Sequence, residues 1–218
     1  MAGFEGEDRP VAGRRGDLRR TPTAPAACAT SSSRCARSAE RFEAGIDKNN
    51  KVIAWRHRNA APSLFANFMP DPKYPGPVEL GMGFVDTPFN IPNIRLESGE
   101  AQSHVRVGWF RSVNNVAHAW SIQSLVAELA HELGRDQKDF LLELIGPARI
   151  VDAPEKATTP WWDYGEPHDV YPINTARLRH VAELAAERAG WGRTLPKGHR
   201  GASRFRELHR HGGRGRGG

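Results

Sequence analysis

The chain has 218 residues, a formal net charge of +6, a mean hydropathy of −0.59, 22 glycines and 16 prolines, so it can hold one sizeable core but is not packed throughout. No apolar run approaches the roughly 18 residues that span a bilayer. Cys28 and Cys35 lack CxxC or Cys/His spacing, which excludes a zinc module or an iron–sulfur cluster built from such motifs. A basic chain invites a nucleic-acid reading, yet seven Arg against four acids in residues 1–39 and six Arg against one Glu in 199–218 contribute +3 and +5. That leaves −2 for residues 40–198, so the basicity belongs to the tails.

Residues 1–39 are rich in Ala, Arg, Ser and Pro without hydrophobic periodicity, which predicts disorder. Arg14-Arg15 and Arg19-Arg20 look like a twin-arginine signal, but the text after them is too polar for an export core. No targeting segment is expected, and as written the chain is of cytoplasmic type. From Glu40 the pattern changes. Phe42, Ala44 and Ile46 alternate on one face, Asp47 to Asn50 form a turn, and Ile53, Trp55 and His57 resume the alternation, predicting a β-hairpin. Residues 60–92 carry seven prolines and are expected to form an ordered loop without helix, burying Phe65, Phe68, Met69 and Tyr74.

His104 to Val107 reads as a short buried strand ended by Gly108. The segment Trp109 to Asn115 then sets two aromatics and one guanidinium beside small polar side chains. That composition suits a pocket wall with donors for an anion. Arg111 is the leading candidate there, either as an anion donor or as a turn arginine paired with a local carboxylate. Ile122, Leu125, Val126, Leu129, Ala130 and Leu133 form one helical face, with Gly134 as its stop. Asp136 caps a second helix carrying Phe140, Leu141 and Leu144, and Gly146-Pro147 ends it. In the loop 150–172, Trp161, Trp162 and Tyr164 either pin the connection to the body or line a substrate channel. Asn174 or Thr175 starts the last helix, with Leu178, Val181, Ala182, Ala185 and Ala189 as its apolar face. Glu128 and Glu132, one turn apart, read as a solvated face, and the histidines, His118 and His131 among them, give no pair at metal-ligand spacing. No metal ligand and no catalytic residue is predicted.

Three pieces in order carry a resemblance: Pro88 to Glu97 (PFNIPNIRLE), the turn and helix from Phe110 through "ELAHELGRDQKDFLLELI", and RLRHVAELAAERAGWG at 177–192. Together they resemble the molybdopterin-binding subunit of the xanthine dehydrogenase and aldehyde oxidase family. The nearest likeness is to the bacterial branch typified by the isoquinoline 1-oxidoreductase beta subunit. The family's "A-F-R-G-F-G" turn matches Phe110, Arg111, Ser112 and Asn114, with Ser112 and Asn114 standing where the wider family has glycines. The resemblance covers residues 40–198, a middle slice of a much longer subunit.

It implies an α+β fragment of a molybdopterin-binding domain, with a β-hairpin, further strands, three helices and disordered tails. It also implies a molybdenum hydroxylase acting on aldehydes or N-heteroaromatic carbons and a molybdopterin cofactor of the cytosine dinucleotide form. Phe110, Arg111, Ser112 and Asn114 would be cofactor-binding residues, and a [2Fe-2S] small subunit the electron-transfer partner. Intact relatives of this branch include periplasmic ones, so the compartment stays open. The family's "G-x-G-E" base and "G-Q-G" loops are missing, so this polypeptide alone is expected to be inactive, and the open strand edges and unpartnered apolar faces of a cut domain predict poor stability. The resemblance is lost abruptly at both ends, into the arginine-rich text of residues 1–39 and the Arg/Gly/His text of 199–218, as shifted reading frames or genuine basic tails would give. The alternative function is a non-catalytic nucleic-acid-binding module using its basic tails.

Overall fold

The computed structural model describes residues 38–70, 72–103, 107–108, 111–152, 161 and 167–194. Strands β1 (Ala39–Ile46) and β2 (Val52–Ala60) form the expected hairpin, and β3 (Asn93–Gly99) adds to β2 in parallel, giving a sheet ordered β1-β2-β3. Parallel pairing needs a long crossover, and residues 61–92 supply it. Behind the sheet lie helices α2 (Asn115–Glu132), α3 (Gln137–Ile145) and α4 (Thr175–Arg188), while β4 (Ile150–Val151) and β5 (Ile173–Asn174) make a small second sheet. The class is mixed α and β. No helix among the described residues is long and apolar enough to cross a membrane.

The hairpin is bent by a bulge where the register shifts between Gly45 and Ile46. The shift turns Val52 fully into the core in place of Ile53, which is only half-buried. Beyond the bulge the alternation places Trp55, His57 and Asn59 inward with Glu40 and Phe42 of β1. On the outer face Arg41, Glu43, Arg56, Arg58, Arg95 and Glu97 form a charged ladder. Glu97 is met by Arg56 at 2.9 Å, Arg58 at 2.5 Å and Arg95 at 2.7 Å. The Arg56 hydrogen bond, against some burial and with help from Arg58, holds the Glu97 carboxyl down at about 2.

The crossover differs from the sequence expectation in two ways. It contains a 3-10 turn at Leu64–Asn67 and a one-turn fourth helix, α1 (Pro77–Leu80), where three helices and no helix in this stretch are predicted. Proline is tolerated at a first helical turn, where its missing N–H has no partner anyway, and Pro77 sits there. The burial is also different: Phe68, Met69 and Tyr74 are exposed, and Leu64, Met82, Phe84, Phe89 and Ile91 are the residues that go inside. Polar latches determine which ones are buried. The fully buried Glu79 carboxylate accepts from Ser63 Oγ (2.8 Å), Leu64 N (2.7 Å) and Gly76 N (2.6 Å). Gly83, at φ 96°, lets the loop press on α2, since a Cβ there would lie 2.8 Å from Asn115 Oδ1.

The helices follow their periodicity. Ile122, Val126, Leu129 and Ala130 of α2, Phe140, Leu141, Leu144 and Ile145 of α3, and Leu178 and Ala182 of α4 share one core with Phe42, Trp55, Phe89 and Ile91. Asp136 caps α3 by accepting from Asp139 N at 3.0 Å, and Asn174 caps α4 by accepting from Ala176 N and Arg177 N. Ala186 is buried in α4, whereas Ala189 is exposed because the helix has already ended at Arg188. The α3 carboxyl end is satisfied by Arg179, which donates to the carbonyls of Leu142 (2.7 Å) and Gly146 (3.0 Å).

Candidate functional site

Two places concentrate chemistry. The first is the turn into α2. Arg111 is exposed and pairs with no carboxylate among the described residues, so the local ion pair considered for it is not formed there. Ser112 (φ 68°) and Val113 (φ 46°) both adopt left-handed backbone, a region non-glycine residues occupy at about 1–2 kcal/mol each and β-branched ones rarely. Asn114 lies at the helix start without a side-chain cap, its Nδ2 donating to the Glu79 carbonyl at 3.2 Å. The turn is thereby tied to α1. Phe110 lies outside the described residues, as do Trp109 and positions 104–106 of the predicted strand, although Val107 is buried as expected.

The second place was not foreseen from the sequence. Glu40, His57 and His118, all buried, bring one carboxylate and two imidazoles together so that one donor atom of each lies within 4.8 Å of the others. His57 Nε2 is 2.5 Å from Glu40 Oε2, Asn59 Nδ2 donates to Glu40 Oε1 at 2.7 Å, and His118 Nδ1 stands 3.4 Å from Glu40 Oε1. Phe42 stacks on the His57 ring at 4.0 Å, and Phe84 lies 4.6 Å from His57 and 5.3 Å from His118, centroid to centroid. Burial opposes ionisation of Glu40, but His118 and His57 together outweigh it and hold the carboxyl far below the usual range. At 3.4 Å, His118 acts more through proximity than through a well-formed hydrogen bond. The residues come from β1, β2 and α2, so no spacing motif could announce them. The available signal was weak: His57 shares the inward face with Trp55, and His118 continues the buried face of α2 one turn before Ile122.

Trp161 packs edge-on against His168 at 6.2 Å, a contact within the loop itself that favours neither reading of it, while Trp162 and Tyr164 lie outside the described residues. So do the arginine-rich segments 1–37 and 195–218 on which the nucleic-acid alternative rests.

No protein-family profile and no curated protein matches the chain. Among solved structures, it is similar to the aldehyde oxidoreductase of Desulfovibrio gigas, with 19% identity and a TM-score of 0.42 over 73% of this chain. The match spans 16% of that protein's length.

Proposed function

We propose that this chain is part of the cofactor-binding subunit of a molybdenum hydroxylase, an oxidoreductase of aldehydes or N-heteroaromatic carbons, and that the turn at residues 111–114 is one lip of the pterin cradle. The observation that carries this reading is the conformation of the turn. Ser112 stands where the family pattern has glycine, and it holds the left-handed backbone that glycine favours. A strained turn that leaves Arg111 exposed and without a carboxylate among the described residues has kept a shape its own residues resist. An anionic cofactor edge gives that shape a use.

The fit is partial. Arg111 would face anionic groups of the pterin, while the Asn114 amide, committed to the Glu79 carbonyl, would fix the turn. When bound, the molybdenum cofactor supplies the redox chemistry of hydroxylation, and electrons would leave through a separate [2Fe-2S] subunit. The cytosine dinucleotide form of the pterin belongs to the same reading. With no glutamate base of the family type in the sequence, no catalytic step is assigned to this chain, and the purified polypeptide should show no turnover.

Cofactor retention tests the reading. Protein incubated with extracted molybdopterin and passed through gel filtration should keep pterin fluorescence, Arg111→Ala should keep at least tenfold less, and Arg111→Lys an intermediate amount. Equal retention by all three, with unchanged circular dichroism, would overturn it.

A further inference from the structure

We propose that Glu40, His57 and His118 form a binding site for one divalent transition-metal cation of the zinc type. This is separate from the proposed pterin turn and does not depend on it.

The donor chemistry selects the ion. Two imidazoles and one carboxylate suit zinc and its first-row neighbours, whereas magnesium and calcium take oxygen ligands. The geometry is near what such an ion needs. With bonds of about 2.0–2.1 Å, the edges of a tetrahedral site are about 3.3–3.4 Å. His118 Nδ1 and Glu40 Oε1 already stand 3.4 Å apart. His57 Nε2 lies 2.5 Å from the other oxygen, Oε2, so small side-chain rotations must bring one carboxylate oxygen to edge distance from both nitrogens; the three donor atoms all lie within 4.8 Å of one another.

An orphaned atom points the same way. His118 Nδ1 is buried, faces the carboxylate and has no hydrogen-bond partner among the described residues. A buried polar atom in that state costs about 1–3 kcal/mol, and a cation would engage it. The ion would be held through Nε2 of His57 and Nδ1 of His118.

The surroundings are those of a supported site. Asn59 Nδ2 orients the carboxylate, and Phe42 and Phe84 fix the planes of the imidazoles. Asn59 Oδ1, buried and also without a hydrogen-bond partner among the described residues, offers an acceptor for a water in the fourth position. A cation here would join β1, β2 and α2. It would leave one formal positive charge on the cluster, with the carboxylate ionised and both imidazoles neutral.

The test uses the full chain carrying Cys28→Ser, Cys35→Ser, His199→Gln, His209→Gln and His211→Gln, so that tail ligands do not compete. Titration with Co²⁺ should give one equivalent with tetrahedral visible bands. Zn²⁺ should displace it and raise the Tm, and Mg²⁺ should do neither. His118→Asn should weaken Zn²⁺ binding at least 100-fold, and His131→Asn, on the exposed end of α2, should leave it unchanged. Should His118→Asn fail to fold, nitrogen chemical shifts of the parent decide: Zn²⁺ must shift Nε2 of one histidine and Nδ1 of another. No bound Co²⁺ or Zn²⁺, His118→Asn binding like the parent, or shifts that involve neither nitrogen would overturn the proposal and leave a hydrogen-bonded cluster.

Discussion

Replacing Glu79 by Gln should loosen the crossover by an amount the structure allows to be worked out. The carboxylate accepts from Ser63 Oγ and Gly76 N on one oxygen and from Leu64 N on the other. A glutamine keeps one oxygen. Its better orientation serves Ser63 and Gly76 and sets its NH2 against the Leu64 N–H, so that a buried donor loses its acceptor at about 1–3 kcal/mol. The sum of three charge-assisted bonds is not what is lost, because the buried carboxylate carries its own desolvation cost in the wild type. Glu79→Gln should therefore destabilise the crossover by about 2 kcal/mol, and Glu79→Ala, which strips all three donors, by about 4 kcal/mol. Hydrogen exchange reads this locally: the Leu64 amide should exchange about 30-fold faster in Glu79→Gln, with amides of α3 unaffected if the opening is local. Wild-type protection at Leu64 in Glu79→Gln, or identical effects of Gln and Ala, would refute the assignment of Glu79 as the latch.

Ser112→Gly should relieve left-handed strain and, after the added freedom of the unfolded chain, raise stability by about 0.5–1 kcal/mol in urea denaturation while preserving pterin retention. Gly146→Ala should cost at least about 2 kcal/mol in the same assay, because at φ 75° the new Cβ would lie 2.5 Å from Asn90 Cβ. The Glu97 carboxyl is depressed to about 2 in the folded chain, so its stabilisation is full above the unfolded value near 4.5 and fades as pH falls from there towards 2. Because the ladder is solvent-screened, the effect should be about 1 kcal/mol or less. Glu97→Gln should remove that part of the acid sensitivity in low salt, and no difference between the two proteins across that range would contradict the ladder's role.

Helices α2, α3 and α4 were legible because apolar residues recur at helical period and because Asp136, Asn174, Gly134 and Gly146 punctuate them as caps and stops should. The hairpin was legible by alternation, but its bulge was not, since nothing in the residue types says which of Val52 and Ile53 turns inward. The crossover was misread for a physical reason. Its exposed aromatics look like the better anchors, yet burial there is decided by where Glu79 finds its donors. Of the site, the turn was read from side-chain chemistry, while its left-handed backbone at Ser112 and Val113 is a property no propensity reveals. The Glu40–His57–His118 cluster was invisible because its third member joins the hairpin pair only through the docking of α2 on the sheet, a long-range contact.

That docking also sets an order in time. Glu40 and His57 are diagonal neighbours on one face of a hairpin, the kind of local contact that closes in microseconds. His118 can join only after the crossover has wrapped and α2 has docked on the sheet, because Phe84 and Gly83 of the crossover form the wall it leans on. A chain halted before that point would hold the carboxylate and one imidazole with the cluster still open. The third side chain closes it last, so its arrival reports that the sheet, crossover and helices have all reached their places.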